Sequence, residues 1–153
     1  MKKTKAKRQK KVESPKNIAD TWFSRYIRVK NAIKDNPDHM QVQCISCGRW
    51  YPAKHIQNGH YFGRKFLATR FDEDNCYPQC MSCNVFNKGN YPEYTLGLID
   101  KFGAKKFITL LEKLDNQRKE GLKISKAEYE EMTEDWKVKV KKLLKKNGVE
   151  KWW

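Results

Sequence analysis

Cys44-Ile45-Ser46-Cys47 and Cys80-Met81-Ser82-Cys83-Asn84 frame the stretch that decides the fold. Between them lie Asn58-Gly59-His60 and Asp72-Glu73-Asp74-Asn75. Two Cys-x-x-Cys pairs are the ligand pattern of one tetrahedral zinc held by four thiolates. The pairs stand 32 residues apart. That is longer than the loop of a compact zinc ribbon, so the insertion should carry structure of its own. Cys44, Cys47, Cys80 and Cys83 are therefore assigned to a structural Zn²⁺. Cys76 is left over and reads as a small buried residue rather than a fifth ligand. An odd number of thiols, with no apolar stretch behind the basic N-terminus to make a secretory signal, argues against a disulfide framework.

Outward from this stretch the chain is polar and basic. Only 39% of its 153 residues are hydrophobic and 33% are charged, so the core should be modest and a metal staple useful. The net charge of +15 favours a polyanionic partner, with DNA or RNA first and an anionic membrane surface second. No apolar run reaches the roughly 18 residues of a spanning helix, so no membrane partner is expected.

Residues 1–13 hold seven lysines and arginines against Glu13 and read as a disordered basic tail that could lie on phosphate. Residues 14–120 read as the zinc-bearing domain with its N-terminal helix. Residues 121–153 read as a C-terminal basic amphipathic helix. Ser14-Pro15 is a helix start, and Trp22, Phe23, Tyr26 and Ile27 recur at helical spacing behind it. Asn36-Pro37-Asp38 breaks the chain. Gln41 to Cys44 reads as a strand, and Trp50 to Phe62 as short strands either side of Asn58-Gly59. Gly63-Arg64-Lys65 and Thr69-Arg70 read as basic loops, and Met81 to Lys88 as the start of a helix. Helices follow to Phe102 and over 104–118. Another begins at the capping box Ser125-Lys126-Ala127-Glu128. Its stripe of Tyr129, Met132, Trp136, Val140 and Leu143 is core or a partner seam. Six lysines between 137 and 146 face no acid and make either a solvated face or a phosphate contact. The class is α+β.

Phosphodiester hydrolysis needs a base for water and positive charge for the phosphate and the leaving oxygen. His60 is the candidate base, since imidazole titrates near neutrality; His39 and His55 lack its setting and read as solvent or core residues. Asn75 is placed to orient the His60 loop through backbone bonds, its plainer reading being an Asx turn. Asn84, just past the last thiolate, offers a carbonyl oxygen to a hard cation such as Mg²⁺ or Mn²⁺; its plainer reading is a helix cap. Arg64, Lys65 and Arg70 are the candidate DNA contacts.

The order Cys-x-x-Cys, Gly59-His60, Asn75, Cys-x-x-Cys-Asn84 resembles the zinc-bearing HNH, or ββα-metal, nucleases. The final Cys83-Asn84 is similar to phage endonuclease VII, with Asn as the motif's last member. More closely, Trp22 to Arg28, Gly59-His60-Tyr61-Phe62, Leu67 to Asn75, Gln79 to Asn84 and Glu93 to Asp100 resemble the NinG (Rap) recombination proteins of lambdoid phages, over about residues 20 to 115. The resemblance implies a small zinc-stapled ββα-metal core with flanking α-helices. It further implies a structure-specific endonuclease on D-loops and Holliday junctions, a second, divalent metal, and a place in the cytoplasm of a bacterial host. One position departs from the pattern. Many such enzymes carry an acidic metal ligand directly before the base, where this chain has Gly59. Asn58, or Asp72 or Asp74, is left as the second ligand. Branched substrates suit a two-fold homodimer. The rival readings are a catalytically silent zinc module that binds nucleic acid, and an HNH nuclease with sequence preference.

Overall fold

The computed structural model describes residues 13–149 and 152, apart from the side chains of 118–120. The expected tail lies almost wholly outside these residues, as does Trp153. The first helix, α1 (Pro15–Asp35), is the central strut. The Ser14 side chain accepts the Asn17 N–H at 3.3 Å and Pro15 occupies the first turn. Its buried stripe, with Ala19, Phe23, Tyr26, Ile27 and Val29, faces the core.

After Met40 the hairpin β1 (Gln41–Gln43) and β2 (Trp50–Pro52) pairs Val42 with Tyr51 and carries the first Cys pair in its loop. A second two-stranded sheet joins β3 (Gln57–His60) to β4 (Cys76–Gln79), with Gly59 opposite Tyr77 and His60 opposite Cys76. β4 is buried along its whole length and runs directly into Cys80. The two sheets are tied where the Ile45 N–H donates to the Pro78 carbonyl at 2.9 Å.

A single helical turn, α2 (Leu67–Arg70), lies between β3 and β4. Ser82–Phe86 forms one π-helical turn, closed by the Asn87 N–H on the Ser82 carbonyl at 2.8 Å. Then come α3 (Tyr91–Phe102), α4 (Ala104–Glu120) and α5 (Lys126–Lys146). The capping box of α5 forms as expected, Ser125 and Glu128 each bonding the other's backbone. α5 lays Trp136 against Phe23 and Tyr26, with ring centroids 5.0 and 4.9 Å apart, and Val140 and Trp152 close the same cluster. α3 packs on the first Cys pair at Gly97, where any Cβ would stand 2.3 Å from the Ile45 carbonyl oxygen. Among the described residues no helix is long and apolar enough to cross a membrane.

Three expectations are corrected. Asn58-Gly59 does not divide two strands: both residues pair inside β3. The local turn preference loses to the ladder with β4. The Thr69-Arg70 loop is the end of α2, and both residues are buried. The helix expected over Met81–Lys88 is only the π turn, ended by positive φ at Lys88, Gly89 and Asn90. The lysines of α5 are also less free than their spacing implied. Lys137 pairs with Glu134, and the Lys139 ammonium stands 4.1 Å from the Trp136 ring centroid.

Candidate metal centre and active cleft

The Sγ atoms of Cys44, Cys47, Cys80 and Cys83 all lie within 4.8 Å of one another. A tetrahedral zinc with Zn–S of about 2.3 Å needs sulfurs about 3.8 Å apart. Cys47 and Cys80 stand 3.9 Å apart. Donors already point at the sulfurs: the Cys80 N–H reaches Cys44 Sγ at 3.3 Å, and the Asn90 amide reaches Cys83 Sγ at 3.6 Å. Such donors favour thiolate over thiol. The four residues could hold a metal ion such as zinc. Cys76 is fully buried, outside the cluster, and burial pushes its thiol well up.

A cleft opens on the other side of β3 and is lined by His60, Asn58, Asn84, Val85, Arg64 and Asp20, with neighbours on α1. His60 Nε2 lies 3.0 Å from the Arg70 carbonyl oxygen, which can only accept. The ring therefore carries its proton on Nε2 and its lone pair on Nδ1. Burial lowers the His60 pKa to about 4, and the Arg64 and Arg70 cations push the same way. The Arg70 carbonyl and the Asp20 carboxylate oppose them. Near neutral pH His60 is thus an uncharged acceptor.

Asn75 is fully buried behind this ring. Its Oδ1 accepts the Phe62 N–H at 2.7 Å, and its Nδ2 donates to the carbonyls of Phe62 at 3.0 Å and Thr69 at 2.8 Å. These bonds fasten the chain leaving His60 to α2, whose last carbonyl holds the imidazole. Tyr94, which the sequence did not mark, adds to this: its buried hydroxyl donates to the Gly59 carbonyl at 2.9 Å and accepts the Tyr77 N–H at 3.1 Å.

Asn84 donates its Nδ2 to Gln57 Oε1 at 2.7 Å, which leaves its own Oδ1 as an acceptor on the cleft. Asn58, on the same wall, turns its amide N–H toward the buried Cys76 sulfur and leaves its buried Oδ1 without a hydrogen-bond partner. Leaving a buried acceptor unpaired costs about 1–3 kcal/mol, which singles out Asn58 Oδ1 as the open acceptor on this wall.

The remaining candidates are not brought here. Asp72 takes Lys113 and the Asp74 N–H, and Asp74 takes Lys106; neither lines the cleft. Arg70 is 5% exposed and ion-paired to Asp20, and its guanidinium also donates to the Arg64 carbonyl. It ties α2 to α1 and has no free face for phosphate. Arg64 and Lys65 are exposed, and Arg64 lines the cleft. The carboxylate that does stand there is Asp20. It is the single acid of α1 before the helix's last residue, Asp35, an isolated negative charge among basic residues, and that was the available signal. Gln57, the partner of Asn84, gave none.

The family model described as Bacteriophage Lambda NinG protein matches residues 1–147. The chain belongs to the NinG family. It is 32% identical over 123 residues to Protein ninG of Salmonella phage P22, covering 74% of this chain and 57% of that protein. Against Protein ninG of Escherichia phage lambda the identity is 32% over 120 residues, covering 74% and 56%. The chain therefore spans a little over half the length of these NinG relatives. No solved structure matches it.

Proposed function

We propose that this NinG-family chain is a metal-dependent DNA endonuclease of the ββα-metal type, acting on branched recombination intermediates. The observation that carries the reading is the cleft itself. A neutral His60, fixed through Nε2, faces oxygen donors from β3, the π turn and α1 in a basic surround. Between Met40 and Pro92 the acids are Asp72, Glu73 and Asp74, all held by lysines, while Arg64 lines the cleft and Lys65 follows it, exposed.

The donor set fits a hard divalent cation: Asn58 Oδ1 is unpartnered, Asn84 Oδ1 is free of its own amide's bond, and Asp20 brings one carboxylate. Such an ion, when bound, would neutralise charge on the phosphate and stabilise the leaving 3′ oxygen. The protein's own groups do the rest. Arg64 and Lys65 draw the phosphate in. His60 Nδ1 takes the proton of the attacking water. Asn75, Tyr94 and the Arg70 carbonyl keep the imidazole from turning.

Gly59 faces away from this work. A Cβ there would meet Gln79 Oε1 at 2.4 Å and Gln79 Cβ at 2.8 Å. An acidic ligand cannot stand directly before the base, so Asp20 replaces it from α1. With both Asp20 oxygens also bonded to Arg70, metal affinity should be modest. The same bonding favours, as a second reading, a zinc-stapled DNA-binding module without catalysis.

Cleavage of labelled four-way junction, D-loop and matched linear duplex, with Mg²⁺ or Mn²⁺, separates the two. Zinc-replete His60→Ala runs beside wild type. Cutting of branched DNA by wild type, with binding but no cutting by the variant, supports the nuclease. Equal binding and no cutting by either leaves the binding module. Equal cutting of linear duplex at preferred sequences points to a sequence-reading nuclease.

A further inference from the structure

The π turn that delivers Asn84 to the cleft also leaves Phe86 with 73% of its surface exposed, beside Val85 at 53%. Zinc ligand Cys83 is buried in the same turn, so a metal at the thiolates would fix the backbone that presents the ring. Val85 lines the His60 cleft, and Phe86 follows it directly in the same turn, outside the cleft's lining. No acid occurs from Asn75 to Pro92, and Lys88 stands exposed two residues beyond the ring.

A bare phenyl ring on an acid-free, basic stretch, one residue from a cleft that carries Arg64, does not fit a neutral apolar groove on a protein. It fits a ligand that combines a flat π face with negative charge, which is an unpaired nucleotide. We propose that Phe86 is a stacking platform for an unpaired DNA base at a branch point, deepening the nuclease reading by giving the cleft its preference for branched over linear DNA. In intact duplex every base is already stacked in the helix, and the ring has nothing to receive. At a fork or D-loop the first unpaired base can lie on Phe86 while the adjoining phosphate enters between Arg64 and His60.

The test uses the full, zinc-replete chain with His60→Ala as background, so that substrate stays whole. Binding is measured by fluorescence anisotropy to a splayed-arm fork and to linear duplex of the same sequence. A 2-aminopurine at the first unpaired position reports stacking. Phe86→Ala should weaken fork binding about 5- to 150-fold, leave duplex binding within about twofold, and abolish the 2-aminopurine change. Phe86→Trp should restore all three. Unchanged fork affinity, or an equal loss on linear duplex, overturns the proposal. Cleavage by the otherwise wild-type chain is scored separately. Selective loss of fork binding without any cleavage would sink the catalytic reading and keep the platform. Cleavage of branched DNA that is indifferent to Phe86→Ala would do the reverse.

Discussion

Replacing Gly59 by Ala adds one methyl group to β3, and the structure says what that methyl meets. The new Cβ would lie 2.4 Å from Gln79 Oε1, 2.8 Å from Gln79 Cβ and 3.2 Å from Gln79 Cδ. Gln79 is fully buried and cannot swing into solvent. Its Nε2 donates to Ser46 Oγ at 2.8 Å, in the first Cys pair, and to the Gly89 carbonyl at 2.6 Å, just past the second. Gly59 has no positive φ, so backbone strain is not involved. Overpacking costs about 1–3 kcal/mol. Displacing the Gln79 amide puts two hydrogen bonds at risk, at about 1 kcal/mol each. A loss of about 2–4 kcal/mol follows, or very roughly 4–16 °C in Tm for a chain of this size. Urea denaturation of zinc-replete protein measures it. Because the bonds of Gln79 brace both Cys pairs, chelator-driven metal release should also become faster. Gln79→Ala in the same chain removes Oε1 and Cδ from the clash, so the double variant should fall short of the sum of the two single losses. A Gly59→Ala chain as stable as wild type would refute the reasoning, because it would show that Gln79 does not enforce the glycine.

Other outcomes follow from the same geometry. Arg70→Met should cost about 3–5 kcal/mol by stranding Asp20, which is only 12% exposed, in the α1–α2 interface. The salt dependence of DNA binding should not change, whereas Arg64→Ala should lower that slope by about one; a slope reduced by Arg70→Met would restore Arg70 as a phosphate contact. Cys47→Ala should abolish zinc binding and loosen both sheets, while Cys76→Ala keeps the metal; metal content and far-UV circular dichroism distinguish them. His60 is held at a pKa of about 4 by burial, with Arg64 and Arg70 against Asp20 around it. Unfolded, it titrates near 6.5. The unfolded chain therefore takes up the proton first, and the stability due to a neutral His60 is complete above about pH 6.5 and is lost as pH falls towards about 4. Relative to His60→Gln, wild type should lose about 3 kcal/mol between about pH 7 and about pH 4 in urea midpoints. Parallel curves for the two chains would show that His60 titrates normally.

What the sequence revealed and what it hid divide along the range of the interactions. The two Cys pairs, the α1 stripe from Ala19 to Val29 and the Ser125–Glu128 box are local patterns, set within one or two turns of chain, and all are legible. The role of Arg70 is not. Its partner Asp20 lies 50 residues away, and a basic residue beside a basic loop looks the same whether it meets solvent or a carboxylate. Asn58-Gly59 was misread for the same reason: the Asn-Gly turn signal is local, while the ladder that overrides it comes from β4. Trp152 packs back into the core with Trp136 and Val140, a contact no spacing rule gives.

The carboxylate in the cleft, Asp20, bears on the one position where the motif departs from its pattern. Strand alternation sends position 59 to the face opposite His60, and on that face Gln79 binds the two halves of the Cys cluster together. An acid at 59 would have to displace the very side chain that braces the cluster. On the proposed reading the negative charge comes instead from Asp20, which Arg70 shares. On that reading Arg70 would tune the cleft's charge through Asp20. Weakening the Arg70–Asp20 pair by Arg70→Lys, which retains the cation but not the two-pronged bond, should free a carboxylate oxygen. Apparent Mn²⁺ affinity in the zinc-replete chain, read by isothermal titration, should then rise. An unchanged affinity would count against Asp20 as a metal ligand and shift the weight to Asn58 and Asn84.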